Sequence, residues 1–400
     1  MIYKQRLKKN INLYYISSFF SGLIFIIPIW VVFERRFLNY AQMAFLESAG
    51  MAITMTLELP TGALADLIGR RLTIILGIAF RIFGHLIQAF SFNAPMLIIG
   101  FLTVSIGSAL ISGADEALIF DSLKERNKEK KYQKIVGKAN LFFQNGIVIA
   151  TLLGGYLYQY WIGLPYLTEA VAEAVAIITF LMMIEPRIDT VKFTLFSYIK
   201  QTKEGLKELF KNKYIQKVST FYILVGGITW SSQYFFNQPL ATDLGFSEIE
   251  KSWLFSIIRL VNSIILFRIT NFKKIISKKK AFLFFPLLMI ISFMPGFWST
   301  KFLGIFLLAG TTLASSARFV ILGQYTNEQF SSKHRATAVS TLNLLVSLIF
   351  ILLVTFSGRL MELYTTGFIY TLLGIISIII ILPLGIDLAK NHHLLIKSKN

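Results

Sequence analysis

Hydrophobic residues along the chain fall into long blocks that are separated by short polar breaks. Each block is about twenty residues long, the length at which an α-helix crosses the ~30 Å hydrocarbon core of a bilayer. The blocks, numbered here as spans one to twelve, are 11–33, 41–64, 72–92, 95–121, 135–160, 164–184, 215–239, 247–270, 281–299, 302–326, 336–357 and 367–388. The pattern predicts an all-α polytopic membrane protein with twelve transmembrane helices in two six-helix halves.

The longest connection between blocks separates span six from span seven. Within it, apolar residues lie on one face of a helix and lysine and glutamate on the other, which predicts an amphipathic helix at the membrane surface. We therefore predict an N-terminal half over 1–184, a cytoplasmic linker over 185–214 and a C-terminal half over 215–400. Two linked six-helix halves are expected of transporters built from repeats.

Composition excludes a soluble protein, because hydrophobic residues make up 55% of the chain and charged residues only 15%. Soluble domains carry about 25% charged residues. The net charge of +19 would suggest a nucleic-acid partner in a soluble chain, but membrane topology explains it here. With the N-terminus inside, 32 of the 40 basic residues fall in cytoplasmic segments, five in outer loops and three within helices. This bias predicts a cell-membrane protein with both termini cytoplasmic, basic loops that contact anionic lipids and no nucleic-acid partner.

Several function classes are excluded by what the sequence lacks. It has no cysteine, which excludes disulfides, thiol catalysis and iron–sulfur clusters. Its four histidines show no HExxH spacing, and it has neither a Walker loop nor a GxSxG motif. We therefore expect no metal, no cofactor, no ATP-driven transport and no enzyme activity. The first span is too long for a secretory signal, so we expect it to be retained.

A charged motif lies between spans two and three. We expect Pro60 and Gly62 to end the helix of span two, and Asp66 and Gly69 to form a tight turn. The motif resembles the loop signature of the major facilitator superfamily, G-x-L-A-D-R-x-G-R-R/K, with Leu67 in place of the first arginine. It reads Gly62-Ala-Leu-Ala-Asp66-Leu-Ile-Gly69-Arg70-Arg71.

The resemblance covers the whole chain by topology and the N-terminal half by motif. It implies that the motif Asp caps span eleven near Ala336, and that the motif Arg pairs with Asp121 at the cytoplasmic end of span four. These charges would latch the cytoplasmic side closed in the outward-facing state. The alternative is that the arginines only anchor the loop inside. The predicted gating motif comprises Gly62, Asp66, Gly69, Arg70, Arg71 and Asp121.

Two patterns typical of proton-linked exporters are only partly present. Span five has Gly146, Gly154 and Gly155 but lacks the central Gly-Pro, and span four has no arginine in mid-helix. The stretch 335–340 at the start of span eleven is similar to one in bacterial exporters of the superfamily. These departures weaken the case for proton–drug antiport, but they do not affect the prediction of transport itself.

Ionisable side chains at membrane depth are costly, so they tend to be functional or paired. In the family, spans one, four, seven and ten line the central cavity, which favours Asp115 and Arg318 as substrate-facing residues. Asp115 and Glu173 are the candidates to take up and release a proton. The predicted substrate and proton cavity comprises Asp115, Glu116, Glu173, Arg81, Trp230, Gln233, Asn237 and Arg318.

The alternative for these acids is a static role, in which they neutralise Arg81, Arg259 and Arg318. Glu169 lies near the outer surface in the predicted topology, where solvation is expected rather than function.

The leading prediction is a secondary active transporter that works by alternating access and exports small amphipathic organic compounds in exchange for protons. The alternatives are a dedicated metabolite carrier, for uptake or export, and a transporter-like sensor that binds without translocating. Intact gating charges argue against the sensor. A monomer is expected from the family resemblance.

Overall fold

The computed structural model describes residues 2–187, 195–271, 277–331 and 334–391, and all regular secondary structure in these ranges is helical. The chain divides into two compact units. Unit 1 comprises Met1–Leu38, Ala49–Tyr198 and Glu248–Ser256, and unit 2 comprises Asn39–Ser48, Ile199–Ser247 and Ile257–Asn400. The start of span two thus belongs to unit 2, and the start of span eight belongs to unit 1.

The first six predicted spans form eight α-helices within the described ranges. They are α1 (Ile2–Ser21), α2 (Trp30–Glu34), α3 (Tyr40–Ile68), α4 (Arg70–Ala89), α5 (Ala94–Ile111), α6 (Ala114–Lys124), α7 (Tyr132–Tyr160) and α8 (Leu164–Met182). Spans one and four are each divided between two helices, α1 with α2 and α5 with α6.

The linker forms α9 (Leu195–Leu209), which precedes the helices of spans seven to twelve. These are α10 (Lys213–Ser231), α11 (Asn237–Asp243), α12 (Glu248–Asn271), α13 (Lys278–Phe293), α14 (Lys301–Ala317), α15 (Gly323–Asn327), α16 (Arg335–Leu363), α17 (Thr366–Ile376) and α18 (Leu382–Lys390). Single π-helical turns join α10 to α11, α14 to α15 and α17 to α18. Spans seven, ten and twelve therefore continue through these turns.

Eight helical segments of the described chain are long and apolar enough to cross a membrane, and the bent α3 makes a ninth. The remaining three predicted spans are helical as well, as α1 with α2, α10 with α11, and α12. Span one is interrupted, and α12 carries charged residues that include Lys251, Arg259 and Arg268. The predicted all-α polytopic class is confirmed, and each of the twelve predicted spans corresponds to helix.

Span one is not the continuous helix that its hydrophobicity predicts. Helix α1 ends at Ser21 and α2 begins at Trp30, so residues 22–29 are non-helical. Glycine allows α7 to approach this segment closely, since a Cβ on Gly154 would lie 2.8 Å from Pro28 and one on Gly146 would lie 3.0 Å from the backbone of Gly22. Pro28 also lacks the N–H that a helix requires. A hydropathy pattern does not register such a break.

Two further boundaries differ from the sequence prediction. Span four is interrupted at Ser112 and Gly113, where the glycine adopts a φ of 74°, in the left-handed region that favours glycine. Span two does not end at Pro60 and Gly62, because α3 runs on to Ile68 and instead bends by 49° at the proline. A proline inside a helix removes one backbone hydrogen bond and often kinks the helix without ending it.

In unit 2 the linker helix α9 is held against the residues that precede and begin α16. The Glu208 carboxylate accepts a hydrogen bond of 2.9 Å from the backbone N–H of Ser331, and Lys211 lies 3.6 Å from the same carboxylate. Gly205 fits against Thr341. Burial alone would raise the pKa of Glu208, but the hydrogen bond from Ser331 and the Lys211 charge hold that pKa below its ordinary value.

We expect Glu208→Ala to release α9 from this contact, because it removes the only charged acceptor that Ser331 N–H has among the described residues. Hydrogen bonds to charged groups contribute roughly 1.5–3 kcal/mol, so trypsin should cleave the linker about tenfold faster. Since the pKa of Glu208 is lowered in the folded state, the contact should be intact at neutral pH and weaken only as the pH falls below the ordinary glutamate range. Gln201→Ala, at an exposed position of α9, is the control, and equal cleavage of both variants would contradict this account.

Candidate functional site

Unit 1 encloses a cavity of about 500 Å³ between α1, α4, α6 and α7. This volume lies within the range of small-molecule sites, roughly 300–1,000 Å³. The polar side chains on its wall come from all four helices. They are Tyr14, Ser17, Ser18, Ser21, Arg81, Asp115, Glu116 and Asn140.

Asp115 and Glu116 reach the cavity because span four breaks at Gly113. The break makes them part of the first turn of α6, where the helix dipole favours negative charge. The Asp115 carboxylate accepts a 2.8 Å hydrogen bond from the N–H of Glu116, and the Glu116 carboxylate accepts one of 3.1 Å from the Tyr132 hydroxyl. Both acids therefore keep oxygen atoms available on the cavity wall.

Arg81 connects the cavity wall to a buried acid behind it. Its Nη2 lies 2.5 Å from the Oε1 of Glu173, whose side chain is only 2% exposed. Glu173 therefore does not line the cavity itself, and the structure places it one layer behind the predicted position. The local charge is three carboxylates against one guanidinium, so the cavity carries a surplus of negative charge.

The hydroxyls of span one are less available than the carboxylates. Ser17 and Ser18 both donate to the carbonyl of Tyr14, at 3.0 and 2.7 Å. Such back-bonding to the same helix is usual for serine in apolar surroundings.

In unit 2, Asn237 is committed to holding spans seven, ten and twelve together. Its amide oxygen accepts hydrogen bonds from Ser232, Thr311 and Tyr370, at 2.7, 3.2 and 2.6 Å. Its amide nitrogen donates to Thr312 at 3.2 Å. These bonds use the side chain in packing, and it is 3% exposed, so the geometry favours a structural role.

Trp230 and Gln233, the other two predicted cavity residues of span seven, are half-buried in unit 2. The Trp230 ring packs against Tyr234 and Phe350 at 5.4 and 5.2 Å between ring centroids. The contacts of Trp230 are therefore aromatic, as the sequence led us to expect of this wall.

Arg318 is 1% exposed and lies between aromatic rings of unit 2. Its guanidinium carbon is 5.1 Å from the Tyr222 ring centre and 4.0 Å from that of Phe319. Gly226 makes room for it, since a Cβ there would lie 2.5 Å from Nη1. Among the described residues, Nε and Nη1 have no hydrogen-bond partner. The predicted static pairing therefore holds for Arg81 but not for Arg318 in the described part of the chain.

The loop motif makes a set of contacts within unit 1. The Arg70 guanidinium contacts the Asp121 carboxylate and donates to the carbonyl of Ala117 at 2.8 Å. Arg71 donates to the carbonyls of Phe180 and Leu181, at 3.0 and 2.9 Å. The arginines thus tie the start of α4 to α6 and to the end of α8.

Glu185 completes this arrangement and was not anticipated from the sequence. Its carboxylate accepts the backbone N–H groups of Arg70 and Arg71, both at 2.8 Å, and so caps α4. Gly69 precedes them with a φ of 95°, and a Cβ there would lie 3.2 Å from the Glu185 carboxyl carbon. Glycine is therefore required at this position for two reasons. Gly62 and Asp66 lie inside the last turns of α3.

Glu169 and His85 form a second unanticipated pair. Glu169, for which solvation was expected, is 3% exposed, and His85 is 2% exposed. His85 Nε2 lies 3.4 Å from Glu169 Oε1, and Nδ1 lies 3.2 Å from the Gln88 side-chain oxygen. One sequence signal indicates the His85–Glu169 pair: Glu169 with Glu173, and Arg81 with His85, are each spaced i,i+4 and so share a helix face.

The sequence profile of the Major Facilitator Superfamily matches residues 12–308 of this chain. The chain belongs to the major facilitator superfamily. It is 24% identical over 278 residues to an uncharacterized MFS-type transporter, YxaM, of Bacillus subtilis (strain 168), covering 67% of each chain. The protein is therefore a multi-pass membrane transporter and not an enzyme, as the sequence predicts.

Solved structures show the same fold at low sequence identity. The nucleoside transporter NupG superimposes with a TM-score of 0.73 at 14% identity, covering 95% of this chain and 98% of that one. A bacterial homolog of the human lysosomal transporter Spinster gives 0.68 at 15% identity over 96% of both chains. A POT family transporter in complex with 5-aminolevulinic acid gives 0.69 at 13% identity, over 96% and 95%.

We expect Gly69→Ala to destabilise unit 1, because alanine is strained at a φ of 95° and its Cβ would crowd Glu185. This extended conformation with a positive φ is essentially restricted to glycine and costs an alanine roughly 1–3 kcal/mol. Gly137→Ala is the matched control, since Gly137 lies within α7 and a Cβ there has no neighbour within 4 Å. Thermal unfolding in detergent measures both, and an unchanged midpoint for Gly69→Ala would contradict the assignment.

Arg81→Gln should lower the free energy of unfolding by about 3–5 kcal/mol, because it leaves Glu173 buried without its partner. Combining it with Glu173→Gln should recover most of this loss, since Glu173 then carries no unpaired charge. Denaturant unfolding of the wild type, both single variants and the double variant gives the coupling directly. Additive losses would show that the ion pair does not exist in solution.

Proposed function

We propose that the protein is a secondary active transporter that exports small amphipathic organic compounds, organic cations among them, in exchange for protons. The observation that carries this proposal is the pair of carboxylates, Asp115 and Glu116, on the wall of the cavity in unit 1. With Arg81 already paired to Glu173, these two acids leave a negative charge for a cationic ligand to neutralise.

Competition at a carboxylate is the simplest route to proton exchange. An acid on the cavity wall can hold a proton or an organic cation, but binding one weakens the binding of the other. Asp115 is half-buried at the N-terminus of α6 and fits this role. When access alternates between the two sides, a site that releases the cation where it gains a proton gives antiport.

Access to this site is proposed to alternate by rocking of the two halves, with the loop motif as the latch. The contact of Arg70 with Asp121 supports this role. The predicted partner of Asp66, the start of span eleven, stays a prediction. We further propose a monomer in the cell membrane with both termini cytoplasmic and its basic loops near anionic lipids, as the charge bias indicates.

A dedicated metabolite carrier is the second candidate, and two observations favour it. The fold is shared with a nucleoside transporter and with a transporter bound to 5-aminolevulinic acid. Arg318 has two guanidinium nitrogens without a hydrogen-bond partner in the described part of the chain, and a substrate carboxylate or phosphate would satisfy them.

Flux of ethidium, a fluorescent cationic dye, through proteoliposomes under an imposed pH gradient tests the first candidate. Wild type should move the dye along with a proton counterflow, and Asp115→Asn should reduce gradient-driven flux about tenfold or more because the amide cannot bind a proton. Glu129→Gln is the control, since Glu129 is exposed and outside the cavity.

The opposite outcome also has a definite meaning. If wild type moves no dye but is stabilised against heat by a nucleoside or an amino acid, the exporter proposal fails and the dedicated carrier replaces it.

A further inference from the structure

The break in span one leaves backbone N–H groups that no helix satisfies. Within residues 22–29, the N–H groups of Phe25 and Ile26 have no backbone acceptor among the described residues and face the Glu169 carboxylate of span six, and Phe25 packs against Ala172 of the same helix. An unsatisfied N–H costs several kcal/mol where no water is present. The negative charge of Glu169 therefore holds the broken segment in place.

The partner of Glu169 on the other side is His85. Nδ1 of His85 lies 3.2 Å from the side-chain amide oxygen of Gln88, which accepts a hydrogen bond in the tautomer that carries its hydrogen on Nδ1. Nε2 then faces Glu169 Oε1 at 3.4 Å. Nε2 has no hydrogen-bond partner among the described residues, and neither has Glu169 Oε2. With a proton on Nε2 the two groups attract, and without it a lone pair faces a carboxylate.

The surroundings of this pair contain few other charges. The ion pair of Arg81 with Glu173 lies one helical turn away and joins the same two helices, α4 and α8. Tyr166 of α8 packs 6.5 Å from the His85 ring, and Glu34 ends α2 beyond the break. Helix α5, which packs on α4, carries no titratable residue.

We propose that His85 and Glu169 form a proton-binding site, and that gain or loss of its one proton sets how firmly Glu169 holds the break in span one. The proposal rests on the proposed proton-coupled function and names a site for the proton apart from the cavity wall. The proton comes from solvent, is held between Nε2 and Oε1 and returns to solvent, with no other bond changed.

Two helices, α4 and α1, connect the His85–Glu169 site to the cavity. Arg81, on the cavity wall, and His85 lie on one face of α4, and Glu173 and Glu169 lie opposite them on α8. Helix α1 ends at the break and supplies Tyr14, Ser17, Ser18 and Ser21 to the cavity. A change in how the break is held therefore changes the position of one cavity wall.

The chain has no cysteine, so a single Ile24→Cys gives a clean reporter inside the break. Its rate of reaction with N-ethylmaleimide is measured in nanodiscs from about pH 5 to about pH 9. In addition to the smooth thiolate trend, the proposal predicts a step of about fivefold, with faster labelling while the proton is bound, because a protonated Nε2 draws Glu169 towards His85 and away from the break. Adding Glu129→Gln, a charge change at an exposed site, should leave the step unchanged.

Two variants in the same reporter chain decide the outcome. Glu169→Gln should abolish the step and raise labelling at all pH values, because a neutral amide holds the N–H groups less firmly. His85→Gln should displace the step by about one pH unit or more, and it decides the question if Glu169→Gln does not give a monodisperse protein. A step that is unchanged in both variants, or absent in the wild type, overturns the proposal.

Dye flux in proteoliposomes separates this proposal from the proposed function. If the labelling step depends on Glu169 but ethidium flux does not respond to the pH gradient, the proton-binding site is supported and the proposed proton coupling of transport is overturned. If flux is gradient-driven but the step survives Glu169→Gln, the coupling stands and this site is overturned.

Discussion

A polar group inside a membrane must find a partner within the protein, and in unit 1 the glutamates of span six and its C-terminal extension supply these partners. Glu169 faces two backbone N–H groups of span one, and Glu173 pairs with Arg81 of span three. Glu185, just past the helix, caps the backbone of the loop motif. Without these carboxylates the break in span one, the buried arginine and the start of α4 would each be unsatisfied.

The sequence predicted features that depend on local pattern. Each of the twelve hydrophobic blocks corresponds to helix, because a length near twenty residues and a run of apolar side chains are sufficient to identify a span. The loop motif also allowed Arg70 and Asp121 to be placed together. These predictions needed only spacing along the chain and a resemblance at one motif.

The features that were missed depend on contacts between distant residues. The break in span one is stabilised by Glu169, far along the sequence, and Gly22 and Pro28 alone are common in membrane helices. Glu185 acts on Arg70 over 115 positions. Asn237 was predicted to line the cavity because its side chain is polar. Its hydrogen bonds with Ser232, Thr311 and Tyr370 depend on the packing of three spans, which the sequence does not show.

Two helix breaks shape the cavity, and they differ in how the exposed ends are satisfied. In span one, the N–H groups that lack a helical partner face the carboxylate of Glu169, which lies on another helix. In span four, the acids that follow Gly113 lie on the first turn of their own helix, where the dipole stabilises them. The first arrangement directs a carboxylate at the backbone of the break and not at the cavity.

The second arrangement leaves carboxylate oxygens directed at the cavity, since only part of their bonding capacity is used. Of the acids around this cavity, Asp115 and Glu116 are therefore the ones placed to bind and release a ligand at the cavity wall. Exchange of partners is what transport demands, because a group bonded permanently to the protein cannot release a ligand on the far side. The acids of α8 lie behind this wall, whereas those of α6 face the cavity and are available to bind a ligand.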